Sequence, residues 1–452
     1  MNPYMFREYD IRGIAGTDLD AGHAETLGRA FGTFYRAERR QRIVVGHDVR
    51  LSSPEYAEAL AHGLVSTGCD VTDVGMVPTP VLYFAVETLA ADGGIAVTAS
   101  HNPPQFNGFK GRTRERALFG ADLQRLFAIV QKGEFARGAG SHRRHDILGA
   151  YVEHLVRDVR LARPLHVAVD CGNGAASVVA PRLLERLGCR LEPLYCEPDG
   201  RFPHHIADPT VPEHMQDLCA CVQRTGAEIG IGFDGDADRV GVVDEAGRLW
   251  FGDELLILFA RALLPERPGP VVFDIKCSQA LVDEVRRLGG RPEMWKTGYP
   301  HIQSRMRDTG AQLAGEMSGH LYFADRYFGY DDGIYAACRA LEILAAAAQP
   351  LSARLAGVPR YVSTPEIRVD STDTDKFRIV AAVADHFRKQ YKTIDVDGAR
   401  ILFPGGWGLV RASNTQPVLV LRFEADSRET LERIQALVRA KLQEATGAPV
   451  AF

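Results

Sequence analysis

The sequence predicts an α/β protein of three similar α/β domains with mainly parallel mixed sheets, followed by an α+β domain with an antiparallel sheet. Three observations carry this. A strand, turn, helix and strand recur in the same order three times; the last quarter breaks the pattern; and the chain, at 452 residues, is too long for one core at roughly 100–200 residues per domain.

Short apolar runs rich in β-branched residues stand at 43–48, 166–170 and 271–274. Each leads into a polar or Gly-containing turn, at 49–53, 171–174 and 275–278. Helix-period stretches ending in Gly follow at 57–68, 177–188 and 280–289, then strand-like runs at 70–74, 190–195 and 291–295. This is the βαβ unit, which builds parallel sheets covered by helices. In the last quarter, strands are expected at 366–369, 394–397, 399–403, 408–412 and 418–423, with helices at 374–391 and 428–444. Tight Gly turns at Asp397-Gly398 and Gly405-Gly406 make that sheet antiparallel. Boundaries fall where periodicity fails, giving domains at 1–146, 147–248, 249–358 and 359–452.

Composition narrows the function. Lys plus Arg number 53 against 58 Asp plus Glu, for a net charge of -5 with no basic block, which argues against nucleic acid. The most apolar stretches, 255–264 and 341–348, are short or broken by Arg261 and Glu342, so no membrane span is expected. Arg7, Glu8 and Asp10 occupy the place where a signal peptide has its apolar run, and a cytoplasmic location is expected. The eight cysteines show no paired CxxC spacing and are read as free, buried thiols, including Cys219 and Cys221 on an expected helix at 212–225.

Two loops carry the chemistry. TASHNPPQFNGFK at 98–110 follows a strand and sets Ser100 beside His101, with Pro103-Pro104 stiffening the loop and Lys110 closing it. A serine hydroxyl is a weak nucleophile without a base or metal. DGDADR at 234–239 supplies three carboxylates, Asp234, Asp236 and Asp238, in what reads as extended backbone, where alternate residues share a side. Three like charges so close call for a hard divalent cation, and all-oxygen ligands favour Mg²⁺. An EF-hand calcium loop is rejected, because its sixth position needs Gly and this chain has Arg239. The turn CGNG at 171–174 lacks both the Lys-Ser/Thr of an NTPase loop and the third Gly of a dinucleotide fingerprint, and is read as fold-building.

With these loops in hand, the sequence resembles the α-D-phosphohexomutases, in particular their bacterial phosphomannomutase/phosphoglucomutase branch. The motifs run in the family's order: YDIRG at 9–13, TASHNP at 98–103, DGDADR at 234–239, GEMSGH at 315–320 and RASNT at 411–415. The resemblance implies four domains around a central cleft. It implies that Ser100 is the phosphoserine, that Asp234, Asp236 and Asp238 with the Ser100 phosphate hold Mg²⁺, and that Arg12, Lys110, Arg239 and His320 stabilise charge or move protons. Lys110 and His320 are both chemically suited to be the base, and the sequence does not choose between them. Tyr9, His101, Lys276, Thr297, Gly298, Tyr299, Glu316 and Ser318 are the expected substrate contacts, and Arg411, Ser413, Asn414 and Thr415 the grip on the phosphate that stays in place. One departure stands out: the bacterial branch usually has His after Thr-Gly in the third domain, whereas here Tyr299 follows Thr297-Gly298, with His301 two residues on.

The implied reaction interconverts hexose 1-phosphate and hexose 6-phosphate, for mannose and glucose, with a hexose 1,6-bisphosphate as activator. Small sugar phosphates are then the partners, and the chain is a monomer or small homo-oligomer. Phosphoglucosamine mutase, a metal-dependent sugar phosphatase and a non-enzymatic sugar-phosphate binder are the alternatives. A Pro-containing hinge expected at 349–365 leads to the further expectation that the fourth domain reaches the cleft only by closing on ligand.

Overall fold

The computed structural model describes residues 1–414, 416–450 and 452. The three expected repeats are present as parallel pairs: Arg42–His47 with Asp70–Met76, His166–Asp170 with Arg190–Leu194, and Pro270–Asp274 with Arg291–Trp295. The helices Ser53–Ser66, Ala180–Arg186 and Gln279–Arg287 make the crossovers. In the second unit the crossover starts as a 3-10 turn, Ala175–Val178, before Pro181 opens the α-helix in its first turn, where a missing N–H costs nothing.

The first sheet has six strands, the second five and the third four, all mixed. In each, the parallel strands continue into an antiparallel pair: Gly93–Val97 with Phe106–Thr113, Ile229–Phe233 with Val240–Asp244, and Leu313–Gly315 with Leu321–Phe323. The fourth sheet is antiparallel throughout and is covered by the helices Asp375–Arg388 and Arg428–Thr446. There the strand expected at 394–397 lies earlier, at Lys392–Ile394, which leaves Asp397 in the turn, free to point at the third domain.

Two segments expected as boundaries carry strand. His142–Arg144 pairs parallel with Asp70–Met76 although all three of its side chains are exposed, so an edge strand was hidden by the lack of an apolar face. Leu249–Trp250 pairs with Val240–Asp244, so the second sheet runs two residues past 248. Among the described residues no helix is long and apolar enough to cross a membrane. The eight cysteines are unbridged, with Cys196 and Cys219 only half-buried.

The cores show how the domains are joined. One apolar cluster runs from Val81–Val86 in the first unit through Tyr151, Leu183 and Ile231 to Phe273, Leu321 and Leu341 in the third. The fourth unit has its own core around Val383, Leu419, Phe423 and Ile434. Its connection to the third is mainly polar, with a small apolar patch of Ile275, Trp407 and Leu409.

Candidate active site

All four motif loops join antiparallel strand pairs. Between Gly93–Val97 and Phe106–Thr113 the chain leaves the sheet, and Ser100 adopts φ +51°, a left-handed conformation uncommon for a non-glycine residue. Its side chain is buried. Ser100 Oγ donates to Asp234 Oδ2 at 2.8 Å and lies 3.0 Å from His101 Nδ1. Gly235 lets the two loops meet, since a Cβ there would lie 2.3 Å from the Ser100 carbonyl oxygen.

The three aspartates converge, but not by strand alternation as expected. Residues 234–239 form a turn, closed by Ala237 N–H on Asp234 O and by Ala237 at φ +60°. All three carboxylates are buried, and their oxygens lie within 4.8 Å of one another. Lys110 is not at the end of a loop either. It sits within the strand Phe106–Thr113, which is buried on both faces and so shows no alternation. From there its Nζ donates to Asp236 Oδ2 at 2.7 Å and Asp238 Oδ2 at 2.5 Å. Thr79 Oγ1 donates to Asp236 Oδ2 at 2.6 Å.

The electrostatics ask for a cation. Burial, with Asp238 and Asp236 nearby, pushes the Asp234 carboxyl well above the usual carboxylate range. Burial acts against the Lys110 ammonium, but Asp236 and Asp238 outweigh it and hold Lys110 well above its ordinary value. Among the described residues, Oδ1 of Asp236 and Oδ1 of Asp238 are buried with no hydrogen-bond partner. Buried carboxylate oxygens without donors are costly, and these two fit a hard metal ion.

Around this cluster, Arg12 donates from Nε to Asp10 at 2.9 Å and from Nη1 to Asn102 Oδ1 at 2.6 Å. Arg239 Nε donates to His320 Nε2 at 2.9 Å, and its backbone N–H to Asp234 Oδ1 at 3.1 Å. His320 Nδ1 lies 2.9 Å from Asp331 Oδ2 and 3.6 Å from Asp238 Oδ1. Burial first, then the cations of Arg239, Arg12 and Lys110, drive the His101 imidazole well below its ordinary pKa.

The opposite wall comes from the third and fourth units. Glu316 Oε1 accepts from Gly298 N–H at 2.7 Å, while its buried Oε2 has no partner. Ser318 lies half-buried in the same hairpin loop. Gly298, at φ +123°, leaves room for the Tyr9 ring, which a Cβ would meet at 2.4 Å. Tyr9 Oη donates to Thr297 O at 2.7 Å and accepts from Asn414 Nδ2 at 2.6 Å, so one hydroxyl joins the first, third and fourth units. Tyr299 Oη donates to the Tyr9 carbonyl at 3.0 Å, and its ring lies 5.6 Å from Lys110 Nζ. His301 packs edge-on to Tyr9 and Phe119.

The fourth unit is already seated on this wall. Thr297 N–H donates to Asp397 Oδ2 at 3.0 Å, Lys276 Nζ pairs with Glu366 at 3.1 Å, and Arg411 Nε donates to Asp397 Oδ2 at 2.9 Å. Arg400 Nη1 donates to Ile275 O and Cys277 O, each at 2.7 Å. This unit, expected to reach the cleft by closing on ligand, is docked there in this structure through these polar links. Among the described residues, the two terminal nitrogens of Arg411 donate to nothing. Ser413 Oγ accepts from Gln416 N–H at 3.2 Å. Thr415 lies outside the described residues.

These are the loops of a known architecture. Phosphoglucomutase/phosphomannomutase alpha/beta/alpha domains I, II and III match residues 4–137, 149–247 and 251–361, and the C-terminal domain of the same family matches 366–441. The chain belongs to the phosphoglucomutase/phosphomannomutase family. It is 48% identical over 441 residues to a phosphomannomutase/phosphoglucomutase of Pseudomonas aeruginosa, covering 97% of this chain and 95% of that protein. A Neisseria gonorrhoeae phosphoglucomutase is 45% identical, with 97% and 96% covered. A crystal structure of a family member from Burkholderia thailandensis superposes with TM-score 0.95 at 45% identity, over 100% of both chains.

The two polar loops led to Ser100 and the aspartates, and the family's motif order added the other site residues. Sequence reasoning missed Thr79, Asp331, Glu366 and Asp397. The last three hold His320, Lys276 and Arg411, and their only trace was an acid near a turn or strand end, too common a signal to single them out.

Proposed function

We propose that the chain interconverts hexose 1-phosphate and hexose 6-phosphate, accepting mannose and glucose, through phospho-Ser100 and a bisphosphorylated sugar. The single observation that carries this is the placement of Ser100. Its hydroxyl is buried against Asp234 and faces carboxylates with unpartnered oxygens, and the site also contains a second, cationic wall with free arginine donors.

In this reading the P–O bond to Ser100 breaks as a bond forms to the free sugar hydroxyl, whose proton passes to a base. The sugar bisphosphate then turns over and returns its other phosphoryl group to Ser100. Asp234, Asp236 and Asp238, with a Ser100 phosphate oxygen, would hold Mg²⁺, which supplies charge neutralisation at the phosphoryl group. Arg12 and Arg239 steady the transferring phosphate as fixed cations. Lys110, ion-paired with Asp236 and Asp238, and His320, whose Nε2 accepts from Arg239, are the two candidates to take the proton. Glu316 Oε2 and Ser318 recognise sugar hydroxyls, and Lys276 with the Arg411 fork and the loop through Asn414 holds the distal phosphate. A hexose 1,6-bisphosphate serves as activator by phosphorylating Ser100.

The test is a panel of mannose, glucose, glucosamine and N-acetylglucosamine phosphates with Mg²⁺ and a trace of glucose 1,6-bisphosphate. Turnover of mannose and glucose phosphates well above the amino sugars is the expected outcome. Preference for glucosamine phosphate, or release of inorganic phosphate as the main product, would refute it.

A further inference from the structure

The loop that carries Ser100 is irregular from 98 to 105, and Ser100 itself is held at φ +51°. Such a conformation persists only when its surroundings over-determine it. Two buried side chains, Arg50 and Asp48, supply much of that support. Arg50, whose side chain is 0% exposed, donates from Nη2 to Ser100 O at 2.8 Å and Asn102 O at 2.6 Å. Its Nη1 donates to Pro103 O at 2.8 Å and Phe106 O at 2.9 Å, and its Nε to Asp48 Oδ2 at 3.0 Å. A guanidinium has five N–H donors, and each is engaged, four on backbone carbonyls of the serine loop.

Asp48 completes the grip from the other side of the peptide. Its Oδ2 accepts from Thr98 Oγ1 at 2.8 Å, and Thr98 Oγ1 in turn accepts from Ser100 N–H at 2.9 Å. Oδ1 of Asp48 accepts from Arg50 N–H and Ser53 Oγ. The N–H and the C=O of Ser100 are thus fixed by two arms of one Asp48–Arg50 pair, neither of which touches Ser100 Oγ or the metal aspartates.

We propose that Arg50, with Asp48 and Thr98, is the positioning clamp that sets Ser100 for phosphoryl transfer. The proposal rests on the mutase reading above and adds Asp48 and Arg50, which no motif in that reading contains. Lys in place of Arg50 keeps the charge, but a single ammonium cannot reach four diverging carbonyls. A misplacement of about 1 Å in a reacting group is enough for a 100-fold loss of rate. Because the clamp does not reach the sugar-binding wall, the loss belongs in kcat.

The experiment follows single-turnover phosphorylation of Ser100 by glucose 1,6-bisphosphate with Mg²⁺, read by intact-protein mass, alongside steady-state kcat and KM. Parent protein that takes no phosphoryl group under these conditions would sink the mutase reading itself, whatever the clamp does. If the parent is phosphorylated, Arg50→Lys is expected to slow the step by about 100-fold with KM within about threefold and a folded circular-dichroism spectrum. A folded Arg50→Lys that phosphorylates at the parent rate overturns the clamp. Should Arg50→Lys not fold, Thr98 decides: Thr98→Val, which keeps shape and loses the hydroxyl, is expected to be slow while Thr98→Ser restores the parent rate. Thr98→Val at the parent rate overturns the proposal.

Discussion

The two sides of the cleft are built on opposite charge logic. On the serine side, Asp234, Asp236 and Asp238 are crowded and buried, and among the described residues Oδ1 of Asp236 and of Asp238 has no partner. The Arg411 wall has the reverse design: Lys276 is paired with Glu366 and Asp274, Arg411 with Asp397, and the Arg411 fork is left free among the described residues. A buried carboxylate cluster demands a cation, and a cation with spare donors demands an anion. The sides also differ in mechanical support. A continuous apolar core stands behind the first three units, while the fourth joins them chiefly by polar links. One side is therefore built for chemistry and the other for holding, and lesions on the two should separate in the kinetics.

The largest effect should come from Ser100→Ala, which leaves nothing to carry the phosphoryl group. Turnover should fall nearly to background, and the intact mass after incubation with glucose 1,6-bisphosphate should lack the adduct. Next is Asp236→Asn, which removes a ligand charge and weakens the pairing with Lys110. Supporting residues around metals alone are worth about 10- to 100-fold in affinity or activity, and a ligand should cost at least that in kcat. Chelation of the wild type should stop turnover, and Mg²⁺ should restore it better than Ca²⁺, whose larger shell positions phosphate less well.

On the holding side, Arg411→Ala removes a charge-assisted contact of roughly 1.5–3 kcal/mol. Since the same phosphate is bound in ground and transition states, KM should rise by about 10- to 150-fold with a smaller change in kcat. A pure kcat effect would erase the division between the two sides. The smallest effect is expected for Tyr299→Phe. The hydroxyl is spent on the Tyr9 carbonyl at 3.0 Å, so its loss should lower stability by about 1 kcal/mol, visible in denaturant unfolding, with KM unchanged.

Much of this was legible in the sequence for a physical reason. Parallel sheets need strand, turn, helix and strand at short range, and the three copies printed that order openly. The loops between strands carry chemistry in unbroken stretches, so Ser100 and the aspartates could be read directly. The partners could not. Glu366 acts on Lys276, 90 positions away, and Thr79 on Asp236, 157 positions away; Asp331 and Asp397 lie nearer to His320 and Arg411, but only the folded turns bring them together. Lys110 was placed in a loop because a strand buried on both faces has no apolar alternation to reveal it. The turn at 234–239 was read as extended because nothing local shows that Ala237 adopts positive φ. The docked position of the fourth unit was missed because Arg400, read as an ordinary strand residue, sends its guanidinium across to Ile275 and Cys277.

The central claim, that the serine side transfers and the other side holds, is tested most directly by mixing phospho-Ser100 protein with an equal amount of glucose 1-phosphate and Mg²⁺. Protein phosphate and sugar products are then followed together through a single turnover. The account predicts that phosphoserine falls as glucose 1,6-bisphosphate appears, and that phosphoserine then recovers as glucose 6-phosphate forms. Loss of phosphoserine matched by inorganic phosphate, with no bisphosphate and no recovery, would contradict it.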